Sequence, residues 1–347
     1  MLSKSDFSNN RITLIRLICA IMVLISHLDW IAGNPTDCFR RLGLYAVAIF
    51  FGLSGFLLTN SILRGGANTY FIRNRILRIF PGYIGVLILT SLLFAPLYHI
   101  IETRDFTFIY NKNNVLYIFR NITTFILQSD INNSLKRSSV PNWNPPLWTL
   151  SYELLCYFIL FILIRVFGTK YISTIYPFLF ASIAIYLLGG FSIIQIPSRI
   201  NMLVYYASFF FLGSFLYLKK VHEKYNLFIV LIFAPLISFL IPRNSDASYF
   251  DNRDFVLGLF LIPLSLFLSF NPKASTKLRN DYSFGIYIYI YIYSAPISQL
   301  LILKFNSMRH NWIIYAISTL GVTLIFSWLS WRLIEKPALK LKKRAVL

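Results

Sequence analysis

The chain has 347 residues, of which 57% are hydrophobic and only 13% charged, and its mean hydropathy is +0.63. This excludes an ordinary soluble enzyme, where charged residues make up about 25%, and leaves no polar stretch long enough for a separate soluble domain. The net charge of +20 would suggest nucleic acid in a soluble chain; here the cations fall between apolar runs, where they set topology and meet lipid headgroups, so membrane lipids and not nucleic acid are the expected partners.

A spanning helix needs about 20 mostly apolar residues. Runs of this kind occupy 12–33, 43–63, 81–101, 147–167, 171–190, 203–219, 226–242, 255–270, 283–303 and 312–334. They predict an all-α polytopic transmembrane bundle of about ten spans, forming a single domain over 1–347. The first run lacks a small-residue cleavage site and reads as an uncleaved helix. The runs 226–242 and 255–270 are short enough to be tilted or re-entrant. With the N-terminus inside, the inner segments carry 20 Lys and Arg and the outer segments 12, which places both termini in the cytoplasm.

The one long polar stretch, 102–146, is then outside, partly packed over the bundle mouth. Tyr287 to Tyr293 alternates with Ile like a strand. An open strand in lipid would leave backbone groups unpaired, so a helix is predicted, with its tyrosines spread around it. No internal repeat of the transporter kind is present. Cys19 and Cys156 lie in apolar runs and Cys38 in a short loop; no disulfide framework or metal-ligand spacing links them, so no metal is expected.

Ionisable groups inside the bilayer are costly and mark functional candidates. Arg16 and His27 sit eleven residues apart in the first span. That is almost three full turns, so they share a helix face about 16 Å apart along the axis. Taken alone, Arg16 also reads as a snorkelling cation and His27 as a helix–helix hydrogen bonder; on one face they mark a polar track. Asp29 does not share that face. Arg75 and Arg78 are i,i+3 neighbours ahead of Pro81, which is read as the start of the third span. Two guanidinium forks suit phosphate, although a positive-inside amphipathic loop would look the same. In the segment Asn144 to Glu153, the two prolines set a helix start, Trp148 is an interface anchor and Glu153 faces the bundle. A belt and a helix cap would satisfy the same residues.

Other chemistries lack their motifs. There is no phosphate-binding Gly-Lys-Ser/Thr loop, no nucleophile elbow around Gly52 to Gly55 and no zinc-protease His pair. Neither His27 nor His99 has the Asp four residues further on that soluble-faced glycerolipid acyltransferases use.

Taken together these residues resemble the membrane acyltransferase 3 family, which O-acylates bacterial surface glycans. The resemblance rests on Arg16 and His27; on Phe50-Phe51-Gly52-Leu53-Ser54-Gly55-Phe56, with its aromatic Ser-Gly-Phe core; on Arg75-Ile76-Leu77-Arg78-Ile79-Phe80-Pro81; on Leu147-Trp148-Thr149-Leu150-Ser151-Tyr152-Glu153; and on the tail Glu335-Lys336-Pro337. The motifs span nearly the whole chain in the right order. Tyr152 replaces a small apolar residue and Leu154 stands where a second Glu is common. Many relatives carry a fused extracytoplasmic esterase-like domain; the chain resembles the stand-alone members.

The resemblance implies a multi-pass protein of the bacterial inner membrane. The donor would be acyl-CoA, most often acetyl-CoA, at the cytoplasmic face; the acceptor would be a polysaccharide or lipid-linked glycan hydroxyl reached from the other side. O-antigen is the preferred acceptor among exported glycans. Arg16, Arg75 and Arg78 would hold the CoA phosphates. His27 would be the general base, and Glu153 would orient it or contact the acceptor. Trp148 and Ser151 would contact the acceptor, and Glu335 would pair with a cation at the last helix end. Ser54 and Ser151 are the serines to test for a covalent intermediate. The competing classes are a glycan flippase or polymerase without acyltransferase activity, which needs no Arg pair aligned with a buried His, and a membrane scaffold.

Overall fold

The computed structural model describes residues 11–107, 112–168, 171–220, 236, 239–241, 251–270 and 280–341. Among these residues the regular structure is entirely helical. The helices are α1 (Ile12–Ala32), α2 (Asp37–Gly65), α3 (Thr69–Leu89), α4 (Ala95–Thr103), α5 (Lys112–Asn121), α6 (Trp148–Phe167), α7 (Tyr171–Gly190), α8 (Ser198–Leu218), α9 (Asn252–Phe270), α10 (Asn280–Lys304), α11 (Trp312–Ser330) and α12 (Lys336–Lys340). Wider π turns at Thr90–Phe94 and Trp331–Glu335 join α3 to α4 and α11 to α12.

Among the described residues, seven helices are long and apolar enough to cross a membrane: Ile12–Ala32, Asp37–Gly65, Thr69–Thr103, Pro145–Phe167, Ser198–Leu218, Asn252–Phe270 and Trp312–Lys340. Each contains or closely matches one of the apolar runs. The run 171–190 is helical with a shorter apolar part, Thr174–Gly190, and the run 283–303 lies within α10. The run 226–242 falls mostly outside the described residues, as do the cations at Lys4, at 243 and at 273–279.

One boundary differs from the sequence expectation. Pro81 does not start the third span but sits inside α3, which begins at Thr69. The Arg-rich segment is therefore the opening of the helix and not a loop. Proline removes one backbone donor, and in a spanning helix neighbouring groups can satisfy the freed carbonyl, so the helix runs through it.

The chain forms two compact units, each of three segments. The first comprises residues 1–19, 44–68 and 152–280. Its centre is the approach of α2 to α8, where glycines remove the usual side-chain spacer. A Cβ on Gly55 would lie 1.9 Å from the Phe210 carbonyl oxygen, and one on Gly213 would lie 1.9 Å from that of Gly52. Backbone therefore meets backbone, the close packing that small residues allow between membrane helices. Aromatic rings fill the space around it: Phe51 stacks on Tyr206 at 4.5 Å, and Tyr205 meets Tyr206, Phe209 and Phe255. Some polar groups inside pair across helices, with Tyr45 donating to Asp254 at 2.6 Å and Tyr217 to Asn60 at 2.8 Å.

The second unit comprises residues 20–43, 69–151 and 281–347. It holds the polar stretch, which is folded against its helices rather than left as an open loop. Trp143 is fully buried and donates through Nε1 to Ser134 at 3.0 Å. Asn144 donates to Thr90 at 3.0 Å and to Tyr117 at 2.8 Å, while Gln299 donates to the Val140 carbonyl at 2.9 Å. Gly33 ends α1 with φ of +86°, and a Cβ there would meet Ser139 Oγ at 2.8 Å, so this turn needs glycine twice over.

In α10 the alternating tyrosines are helical, as expected. All four are buried. Residues two apart point to opposite sides of a helix, and residues four apart to the same side. Accordingly Tyr287 and Tyr291 reach Arg78 and the Pro146 carbonyl, and Tyr293 reaches Ser330. Each hydroxyl has a polar partner, which is what a buried tyrosine needs.

Candidate active site

Polar candidate residues lie in both units, and those of the first unit form a cluster. In the first unit the cluster is built on α1, α2 and α6. Ser54 lies on α2 between Gly52 and Gly55 and is 5% exposed. Its hydroxyl donates to Glu153 Oε1 at 2.7 Å. Arg16 is 8% exposed, so it is drawn into the bundle, and its Nη2 reaches Ser54 Oγ at 3.4 Å. Tyr157, one turn beyond Glu153 on α6, donates to the same carboxylate oxygen. A cation, a hydroxyl and a carboxylate thus stand in sequence, with a phenol fixing the carboxylate.

The second unit holds His27, Arg75, Arg78 and Glu335. His27 Nδ1 is 2.8 Å from the carbonyl oxygen of Val23, one turn back on α1. A carbonyl only accepts, so Nδ1 carries the hydrogen, and in the neutral ring Nε2 keeps its lone pair. α1 is unbroken from Ile12 to Ala32, so the eleven-residue spacing of Arg16 and His27 keeps the two on one face of that helix.

Arg75 and Arg78 are half-buried on the first turns of α3, whereas Arg73 is exposed. The Arg75 guanidinium lies 5.5 Å from the centre of the Phe71 ring, and Arg78 Nη2 donates to Tyr287 at 2.8 Å.

Glu335 departs from expectation. It is 1% exposed and, among the described residues, has no cation within ion-pair distance. Instead Ser330 donates to its Oε1 at 2.9 Å, and the same oxygen would be 2.8 Å from a Cβ on Gly82. The π turn at Trp331–Glu335 directs the carboxyl inward against α3.

Trp148 begins α6 and is half-buried. Ser151 is buried and donates to the Thr124 carbonyl at 2.6 Å, so its hydroxyl ties α6 to the polar stretch.

Residues 9–332 match the family of the acyltransferase domain. The chain belongs to the membrane acyltransferase 3 family. The match takes in every motif quoted above except the Glu335-Lys336-Pro337 tail, which lies just beyond it. The family assignment makes the chain an O-acyltransferase, the enzyme among the competing readings. It is 27% identical to an O-acetyl transferase of Shigella phage Sf6, with 92% of this chain and 93% of the relative covered. It is also 24% identical to nodulation protein 10 of Rhizobium leguminosarum bv. viciae, over 99% of this chain and 96% of that one. No solved structure matches the chain.

Within this acyltransferase 3 member, three participants escaped the sequence reading. Tyr157 was detectable, because i,i+4 residues on a helix are neighbours. Tyr287 and the pairing of Ser54 with Glu153 depend on contacts between segments 209 and 99 residues apart, which no local pattern encodes.

Proposed function

We propose that the chain transfers an acetyl group from acetyl-CoA, bound at the cytoplasmic face of the bacterial inner membrane, to a hydroxyl of an exported polysaccharide such as O-antigen. His27 is the general base for the acceptor hydroxyl. Arg75 and Arg78 hold the donor's phosphates. Trp148 contacts the glycan, and Ser151 acts indirectly by holding the polar stretch through Thr124.

The observation that carries this reading is the state of His27. Its Nδ1 hydrogen is committed to Val23, so Nε2 is the nitrogen able to take a proton. The Arg pair supports the donor assignment, because half-buried guanidinium forks bind phosphate well. The phage relative named as an O-acetyl transferase supports acetyl as the acyl group.

The test is His27→Ala, assayed by NMR of surface polysaccharide from cells holding normal protein levels. Loss of a general base lowers rate by about 10²–10⁴-fold, so glycan acetylation should fall to background. Wild-type acetylation in this variant would remove His27 from the mechanism.

A further inference from the structure

We propose that Ser54 carries the acyl group between donor and acceptor as an ester on its Oγ. This rests on the acyltransfer reading above and adds a covalent step to it.

The geometry around Ser54 has the parts that nucleophilic catalysis requires. The hydroxyl donates to Glu153 Oε1 at 2.7 Å, which is nucleophile-to-base contact. Tyr157 donates to that same oxygen and so orients the base. Arg16 Nη2, 3.4 Å from Oγ, places positive charge beside any oxyanion formed on the attacked carbonyl. Close contacts on both sides of the serine hold its backbone in place: Gly55 abuts the Phe210 carbonyl, and Gly52 abuts the Ile262 side chain and the backbone of Gly213. Ser151, the other candidate, has its hydroxyl on the Thr124 carbonyl and side chain, neither of which is a base.

Ser54 also admits a simpler role, as a polar bridge between a buried Arg and a buried Glu. A bridge predicts that losing the hydroxyl affects stability but leaves chemistry possible. A carrier predicts a trappable ester.

In the first half-reaction, Ser54 Oγ bonds to the thioester carbonyl carbon and its proton passes to Glu153. The carbon–sulfur bond then breaks, and the sulfur leaves as CoA thiol with the proton from Glu153. In the second, the acceptor oxygen bonds to the same carbon, its proton passes to the base, and the Oγ–carbon bond breaks. The proton taken from the acceptor hydroxyl returns to Ser54 Oγ as that bond breaks, so atoms and charge balance over the cycle. Splitting the transfer in two lets donor and acceptor, which approach from opposite faces, occupy the protein at different times.

The experiment uses purified full-length protein in lipid nanodiscs with acetyl-CoA labelled in the acetyl group and no acceptor. Wild type should release CoA thiol in a burst of about one equivalent per protein. After denaturation it should retain one acetyl group, mapped by mass spectrometry to the peptide holding Ser54. S54A should show neither burst nor label. S54C, which preserves bulk and a nucleophile, should hold the acetyl group as a thioester released by neutral hydroxylamine. Wild-type protein that acetylates glycan in cells yet retains no acetyl group would overturn the carrier and leave direct transfer standing. Undiminished glycan acetylation by S54A would do the same. Failure of wild type both to bind acetyl-CoA and to acetylate glycan would sink the acyltransferase reading along with it.

Discussion

Arg78 and Tyr287 meet from positions 209 residues apart, and their hydrogen bond of 2.8 Å fixes one fork of the guanidinium pair on α3. A charge-assisted hydrogen bond contributes about 1.5–3 kcal/mol. Arg75→Ala and Arg78→Ala should therefore each weaken acetyl-CoA binding by about 10- to 100-fold, measured by calorimetry on purified protein. Unchanged affinity in the double variant would dispose of the phosphate clamp. Tyr287→Phe removes only an orienting partner, so KM for acetyl-CoA should rise by about several-fold while kcat holds. A fall in kcat instead would place Tyr287 at the chemistry. The Arg pair itself was legible from i,i+3 spacing. Glu335 was legible as part of the tail motif but not in its environment: a carboxylate beside Arg332 and Lys336 in sequence invites an ion pair, and the π turn that swings it toward Gly82 leaves no mark in composition.

Helix contacts explain which glycines the fold cannot lose. At Gly55 and Gly213 the obstructing atoms are backbone carbonyls, 1.9 Å from an added Cβ, and neither can rotate aside. At Gly82 the neighbours are the ends of Glu335 and Tyr289, which can. Gly55→Ala and Gly213→Ala should thus lower stability by about 1–3 kcal/mol, the usual cost of overpacking, and Gly82→Ala by less. Thermal unfolding in detergent ranks the three, and equal melting temperatures would refute the backbone-contact argument. The sequence does supply the spans themselves, because runs such as 12–33 and 255–270 match helices nearly end to end. It misplaces the start of the third span, since a proline in an apolar run ordinarily signals a beginning and here is passed through.

For the whole molecule, the charge bias predicts an N-terminus in the cytoplasm, which would put the loop between α1 and α2 outside. The three cysteines offer a direct check, because Cys19 and Cys156 are buried whereas Cys38 is exposed at the start of α2. A membrane-impermeant maleimide applied to spheroplasts should modify wild-type protein once, at Cys38, and Cys38→Ser should abolish the signal. Labelling that requires lysis would invert the topology. The division into two units of interleaved segments was not legible, because it depends on which helices pair rather than on where they begin. The same distribution of thiols has a practical consequence. The unmodified protein already possesses a single addressable point for a fluorophore, spin label or gold cluster, so spectroscopic work on it can begin without first building a cysteine-free background.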